Sequence, residues 1–183
     1  MKKILNIILV LTTVGVLSGG SLVLVYNYTN PKIKENQEKS TKDAIFKVFP
    51  GADTYKRIKS KDNEIYKVKS KKKGMLGYAF IAEGNGYQGK ISIMVGVKKD
   101  LKTLTGIEIL ESQETPGLGQ EITSDNFKNQ FKGLSSSPKI EYVKGEKPSK
   151  PNQIEAITGA TISSKAVVGI LNSELEKVRK AVK

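Results

Sequence analysis

The sequence predicts an α+β domain behind a single N-terminal membrane-spanning helix. Three observations predict it. A charge-free apolar run fills residues 4–28, short β-branched and aromatic runs punctuated by glycine and charged turns follow from residue 64, and the chain closes on an amphipathic helical pattern. Strands followed by helices give an α+β architecture with antiparallel strands and flanking helices. At 183 residues there is room for one such domain and an accessory segment.

The first element is "ILNIILVLTTVGVLSGGSLVLVYNY", which at about 1.5 Å per residue is long enough to cross a hydrocarbon core of roughly 30 Å. Ser18, Gly19 and Gly20 offer a small-residue cleavage site, but the apolar run resumes with "SLVLVY" and outlasts a signal-peptide core. Residues 1–30 are therefore expected to be an anchor in the cytoplasmic (inner) membrane. Lys2 and Lys3 ahead of the span place the amino terminus in the cytoplasm and send the rest of this single-pass chain to the extracytoplasmic side. Asn6, Thr12 and Thr13 are polar without charge and are read as helix-packing residues, not an ion path.

Residues 31–50 contain "KIKENQEKSTKDAIFKVF" after Pro31, with Ile33, Ala44, Ile45 and Val48 at loose helical spacing, and are expected to form a connecting helix that stops at Pro50-Gly51. The folded domain is then expected over 51–183. Within it "EIYKVKS", "MLGYAFIAEG", "KISIMVGVKKD" and "LTGIEILES" read as antiparallel strands. "SDNFKNQFKG" has an Asp-containing start and Phe127 and Phe131 four residues apart, which predicts a short helix. "SKAVVGILNSELEKVRKAV" puts Val167, Leu171, Leu175, Val178 and Val182 on one face of a final helix.

Composition excludes whole classes of chemistry. The chain has no cysteine and no histidine, which removes disulfides, thiolate nucleophiles, Cys-ligated clusters and the commonest metal ligand and general base. No metal site and no catalytic residue is expected. The net charge of +13 comes almost wholly from scattered lysines, the pattern of a solvated surface, so no nucleic-acid partner is expected. "GNGYQGKI" has the spacing of a phosphate loop, yet Ile91 stands where a hydroxyl should meet magnesium and a strand follows where a helix should open. "SKKK" at 70–73 matches the serine acyl-enzyme pattern only nominally, without its companion motifs. Any chemistry must therefore be brought by a cofactor.

Two loops suit one. In "ESQETPGLGQEI", residues 111–122, Pro116 fixes a turn while Gly117 and Gly119 let the backbone approach a flat ligand without Cβ interference. In "AITGATISSKA", residues 156–166, four hydroxyl side chains surround one glycine just before a helix, whose free N–H groups and positive dipole end would welcome a phosphate. Each loop also has a plain reading, the first as a hairpin turn and the second as a helix cap at Thr161 or Ser163.

Together "GYQG" (86–89), "ETPGLG" (114–119), "FKNQFKG" (127–133) and "TGATISSKAVV" (158–168), behind one anchor, resemble the FMN-binding domain family over roughly residues 45–180. The resemblance extends to the G subunits of Rnf-type ion-translocating ferredoxin:NAD⁺ oxidoreductases and the C subunits of Na⁺-translocating NADH:quinone reductases. It implies FMN joined through its phosphate to Thr161 by a separate flavin transferase. It also places Thr158, Gly159 and Ala160 at the attachment motif, Glu114, Thr115, Gly117, Leu118 and Gly119 along the ring, and Lys144 near the pyrimidine edge. Gln113 stands where family members often carry histidine. The function implied is electron transfer within a membrane redox complex that moves Na⁺ or H⁺, with the other subunits as partners. A freestanding membrane-tethered flavoprotein serving extracellular electron transfer, or a non-redox binding module with Thr161 as a simple cap, would use the same domain.

Overall fold

The structure, a computed structural model, describes residues 1–59 and 64–182. Two compact units divide the chain, Met1–Ser40 and Thr41–Lys183. Helix α1 (Lys2–Val48) supplies the first unit and, from Thr41 onward, the opening element of the second. Its most apolar stretch has a mean hydropathy of 2.3 and is long enough to cross a membrane. The hydroxyls of Thr13 and Ser21 donate to the carbonyls of Leu9 and Leu17, each at 2.8 Å, so these polar groups are satisfied inside their own helix, as a hydrocarbon surround requires.

No break separates anchor from connecting helix. The helix runs through Pro31, which withholds one backbone donor from the Asn27 carbonyl. The second unit accordingly begins at Thr41, ahead of the expected residue 51, because Ala44, Ile45 and Val48 of α1 and the following Phe49 are buried in its core.

That unit is built on a five-stranded antiparallel meander, β1 (Thr54–Lys59), β2 (Glu64–Ser70), β3 (Gly74–Asn85), β4 (Lys90–Lys98) and β5 (Leu104–Ser112), in sheet order 1-2-3-4-5. The period-2 pattern sends alternate side chains to opposite cores. Tyr66, Val68, Ala79 and Met94 meet the end of α1 on one face. Ile65, Phe80, Ile91, Ile93 and Val95 on the other join Val167, Leu171, Leu175 and Val178 of α3 (Thr161–Val182). Strand β4 is thus buried on both faces along its middle. Helix α2 (Asp125–Asn129) starts at Ser124, whose hydroxyl accepts from Phe127 N–H at 3.4 Å, and it delivers Phe127 and Phe131 to the same core in an edge-to-face pair 5.4 Å apart.

The expected strands and both helices are present; three strands were not foreseen. Strand β1, "TYKRIK", is an edge strand with little buried surface and hence little hydrophobic signal. β6 (Glu141–Lys144) and β7 (Gln153–Ala156) form a separate two-stranded parallel sheet, a departure from the purely antiparallel expectation. Four residues each are too few to show a period, and their outer edges are closed by side chains: the Gln130 amide accepts from Glu155 N–H at 2.7 Å and donates to its carbonyl at 3.2 Å, and Asn172 does the same for Ile140 at 2.8 and 2.9 Å.

One charge network ties α1, β5 and α2 together. Glu108 bonds Lys47 at 2.7 Å and Lys128 at 3.0 Å, and Lys128 also reaches Asp125 at 3.1 Å. Burial pushes the Glu108 carboxyl up, but the two lysine bonds outweigh it and its pKa lies below the ordinary 4.5. A carboxyl held lower in the folded state contributes stability above its unfolded value, which is lost as pH falls through the folded one. Glu108→Gln is expected to cost roughly 2 kcal/mol at neutral pH and to flatten the decline of stability below pH 4.5, measured by thermal unfolding of the full chain across pH.

Candidate functional site

The β3–β4 hairpin closes through residues 86–89, where Gly86 N–H meets the Gly89 carbonyl at 2.7 Å. This turn directs the N–H groups of Tyr87, Gln88 and Gly89 toward one carboxylate, that of Glu114, with Gln88 N–H to Oε1 at 3.0 Å. The phosphate-loop spacing in "GNGYQG" thus serves an anion after all, an internal one. Glu114 is only 5% exposed, and its second oxygen accepts from the Ser163 hydroxyl at 2.6 Å. Burial raises the Glu114 pKa, but the Ser163 hydroxyl and the three N–H groups outweigh this and hold it low, so the group is a carboxylate at neutral pH.

Space around that carboxylate is closed to side chains. A Cβ at Gly86 would lie 2.1 Å from Glu114 Oε1, and one at Gly119 would lie 2.4 Å from Oε2 and 2.7 Å from Ser163 Oγ. Gly119, expected to let the backbone approach a ligand, instead lets it approach Glu114. Both Glu114 oxygens are spent on protein, so its side chain positions the loops and does not line an open surface.

The loop from 115 to 119 is a tight turn in which Leu118 N–H and Gln120 N–H both reach the Thr115 carbonyl, at 3.2 and 3.1 Å. Gly117 sits in the left-handed region at φ 72°. The Thr115 hydroxyl donates to the Gln88 side-chain carbonyl, tying this turn to the hairpin. Leu118 is left exposed.

The third segment leaves β7 and turns into α3. Ile157 N–H donates to Ser164 Oγ, and the Ser164 hydroxyl donates to the Ala160 carbonyl, both at 3.0 Å. Gly159, at φ 83°, faces Leu118, whose Cδ2 would stand 3.7 Å from a Cβ there, so the two predicted loops come together. The helical bond from Ser164 N–H to the Ala160 carbonyl leaves the N–H groups of Thr161, Ile162 and Ser163 without acceptors four residues back.

The four hydroxyls of the motif now separate. Ser163 and Ser164 are buried and bonded, to Glu114 and within the turn. Thr158 is exposed on the turn, Ala160 is buried beneath it, and Thr161 is half-exposed as the first residue of α3. Lys144 is exposed at the end of β6, opposite Ala156 in the parallel register, where β7 ends and the turn into α3 begins. Every other residue expected at the site lies on the second or third of the segments that meet around Glu114. Sequence reasoning missed Gln88, Gln130 and the role of Ser163; the glycine spacing at 86 and 89 was the available signal for the first.

The sequence profile of the FMN-binding domain matches residues 86–176, which span all three segments. The G subunit of the proton-translocating ferredoxin:NAD(+) oxidoreductase complex of Clostridium ljungdahlii is 32% identical over 92% of this chain and 88% of its own length. The chain belongs to the FMN-binding domain family. The G subunit of the ion-translocating oxidoreductase complex of Methanosarcina acetivorans is 29% identical over 97% of this chain and 95% of its own. The crystal structure of Shewanella oneidensis NqrC shares this fold at a TM-score of 0.58 and 23% identity, covering 67% of this chain and 63% of that one.

The residues present fit FMN. Free N–H groups at the start of α3 suit its phosphate, a solvent-facing threonine hydroxyl stands at that start, and Leu118 and Ile162 offer exposed apolar surface beside it. Gly119→Ala is expected to lower domain stability by about 1–3 kcal/mol, since neither Glu114 nor Ser163 has room to retreat. Thermal unfolding of the variant checks this; an unchanged melting temperature would contradict the packing described.

Proposed function

We propose that the chain is an electron-transfer subunit of a membrane-bound, ion-translocating ferredoxin:NAD⁺ oxidoreductase complex, carrying FMN in phosphoester linkage to Thr161. The observation that carries the reading is the meeting of the attachment motif and the "ETPGLG" turn around Glu114, in a chain similar over nearly its whole length to the G subunits of such complexes. FMN supplies the reversible redox chemistry. Holding and aiming it is the work of this chain.

Thr161 would offer its hydroxyl oxygen to the flavin phosphorus, while a separate flavin transferase would break the phosphoanhydride of a flavin dinucleotide donor, release the nucleoside monophosphate and take up the hydroxyl proton, which explains why no base is needed beside Thr161. The N–H groups at the start of α3 hold the phosphate charge. Ser164 fixes the turn that aims Thr161, Glu114 holds the "ETPGLG" turn against the same helix, and Leu118 gives the ring an apolar face. Lys144, at the end of β6, would supply a cation to offset negative charge on a reduced flavin held at this site.

Residues 4–28 anchor the chain, and by the lysines ahead of the span the domain lies on the extracytoplasmic side. There a dissociated flavin would be lost by dilution, whereas a covalent tether holds it at a fixed effective concentration beside the other subunits. The span itself holds no ionisable residue other than the tyrosines at its end, so ion movement belongs to those partners.

Intact mass tests the attachment. Full chain produced with a flavin transferase is expected to carry one FMN phosphoester, Thr161→Ala none, and Thr158→Ala the full adduct. An adduct retained in Thr161→Ala would overturn the assignment.

A further inference from the structure

Among the described residues from 41 onward, the large apolar side chains more than half exposed are Tyr87 at 68%, Leu118 at 53% and Ile162 at 58%. A single exposed apolar residue means nothing. These three, far apart in sequence, stand on the three segments that converge on Glu114. The N–H of Gln88, the neighbour of Tyr87, donates to the carboxylate at 3.0 Å, Leu118 precedes the Gly119 packed against it, and Ile162 precedes the Ser163 bonded to it at 2.6 Å. The Glu114 bonds fix the backbone under each side chain, while the side chains themselves face outward. Ile162 also follows Thr161 directly on the first turn of α3.

We propose that Tyr87 is a further flavin-binding residue, its phenol ring forming, with Leu118 and Ile162, the apolar rim against which the ring of FMN on Thr161 rests. The inference rests on the attachment proposed above. An aromatic side chain suits this place because an isoalloxazine ring offers a flat π surface, and a phenol presents another at the cost of ordering only two side-chain torsions. The hairpin is built to deliver it: the same three N–H groups that neutralise Glu114 set the backbone from which Tyr87 projects. Covering the rim also removes from water apolar surface that the folded domain otherwise leaves bare.

The test reads the flavin directly. A phenol in contact with a photoexcited flavin passes it one electron and recovers it, with no net reaction, and so shortens the fluorescence lifetime. An indole does the same; a phenyl ring and an aliphatic side chain do not. Full chain made with its flavin transferase and held in detergent is expected to show a short flavin lifetime that Tyr87→Trp keeps and that Tyr87→Phe and Tyr87→Leu lengthen several-fold, with the mass adduct intact in all four proteins. Tyr87 is exposed, so none of these changes threatens the fold. Equal lifetimes across wild type and variants, with the adduct present, would overturn the proposal. A wild-type protein lacking the adduct would overturn the attachment reading instead.

Discussion

The site depends on one buried carboxylate. Glu114 takes N–H groups from the β3–β4 hairpin on one side and the Ser163 hydroxyl of α3 on the other, and its own backbone begins the turn that bears Leu118. Three stretches distant in sequence thereby acquire a common fixed point. A buried charge is costly unless its hydrogen-bonding capacity is met, and here it is met by groups from different elements. Removing it would leave the Gln88 N–H and the Ser163 hydroxyl without their acceptor, so the fixed point is hard to dispense with. Gly86 and Gly119 are glycines because the carboxylate occupies the space a side chain would need.

The rest of the domain holds that point steady. The meander positions the hairpin, the buried face of α3 docks its helix against β3, and the Gln130 amide pairs with Glu155 as a neighbouring strand would, fixing β7 just ahead of the turn into α3. The hydroxyls then divide their labour by burial. Ser163 and Ser164 are consumed in building the turn, which leaves Thr161 half-exposed at the helix start, as the proposed attachment requires. A domain with no histidine and no cysteine needs none for this purpose.

Much of this was legible in the sequence where periodicity runs long enough. β2, β3, β4 and β5 and the buried face of α3 each carry a repeated pattern that burial enforces, and the apolar span is legible from its length and its lack of charge. What escaped was structure held by single side chains. β6 and β7, at four residues each, are too short to show a period, and single side chains, Gln130 at Glu155 and Asn172 at Ile140, hold them in place. Helix α3 begins at Thr161, three residues before the "SKAVV" run that announced it, since the serines that looked like a polar prelude are bonded into its first turn. Of the two glycines of "ETPGLG", Gly119 is a place of close backbone approach, whereas Gly117 has open space around it and serves the turn through its left-handed backbone. The object approached was not legible, because nothing in a linear sequence says that Glu114 folds back onto Gly119 and onto the hairpin. The anchor and connecting segment merged for a similar reason: Pro31 reads as a boundary, but one absent donor does not end a helix of this length.

Glu114 couples the hairpin to the start of α3, and amide hydrogen exchange measures that coupling directly. In full chain bearing Glu114→Ala, the amide of Gln88 and those of Ala160 and Ser164, the bonded ones at the start of α3, are predicted to lose protection together, while β4 keeps its own. Loss confined to the hairpin, with the start of α3 unchanged, would contradict it.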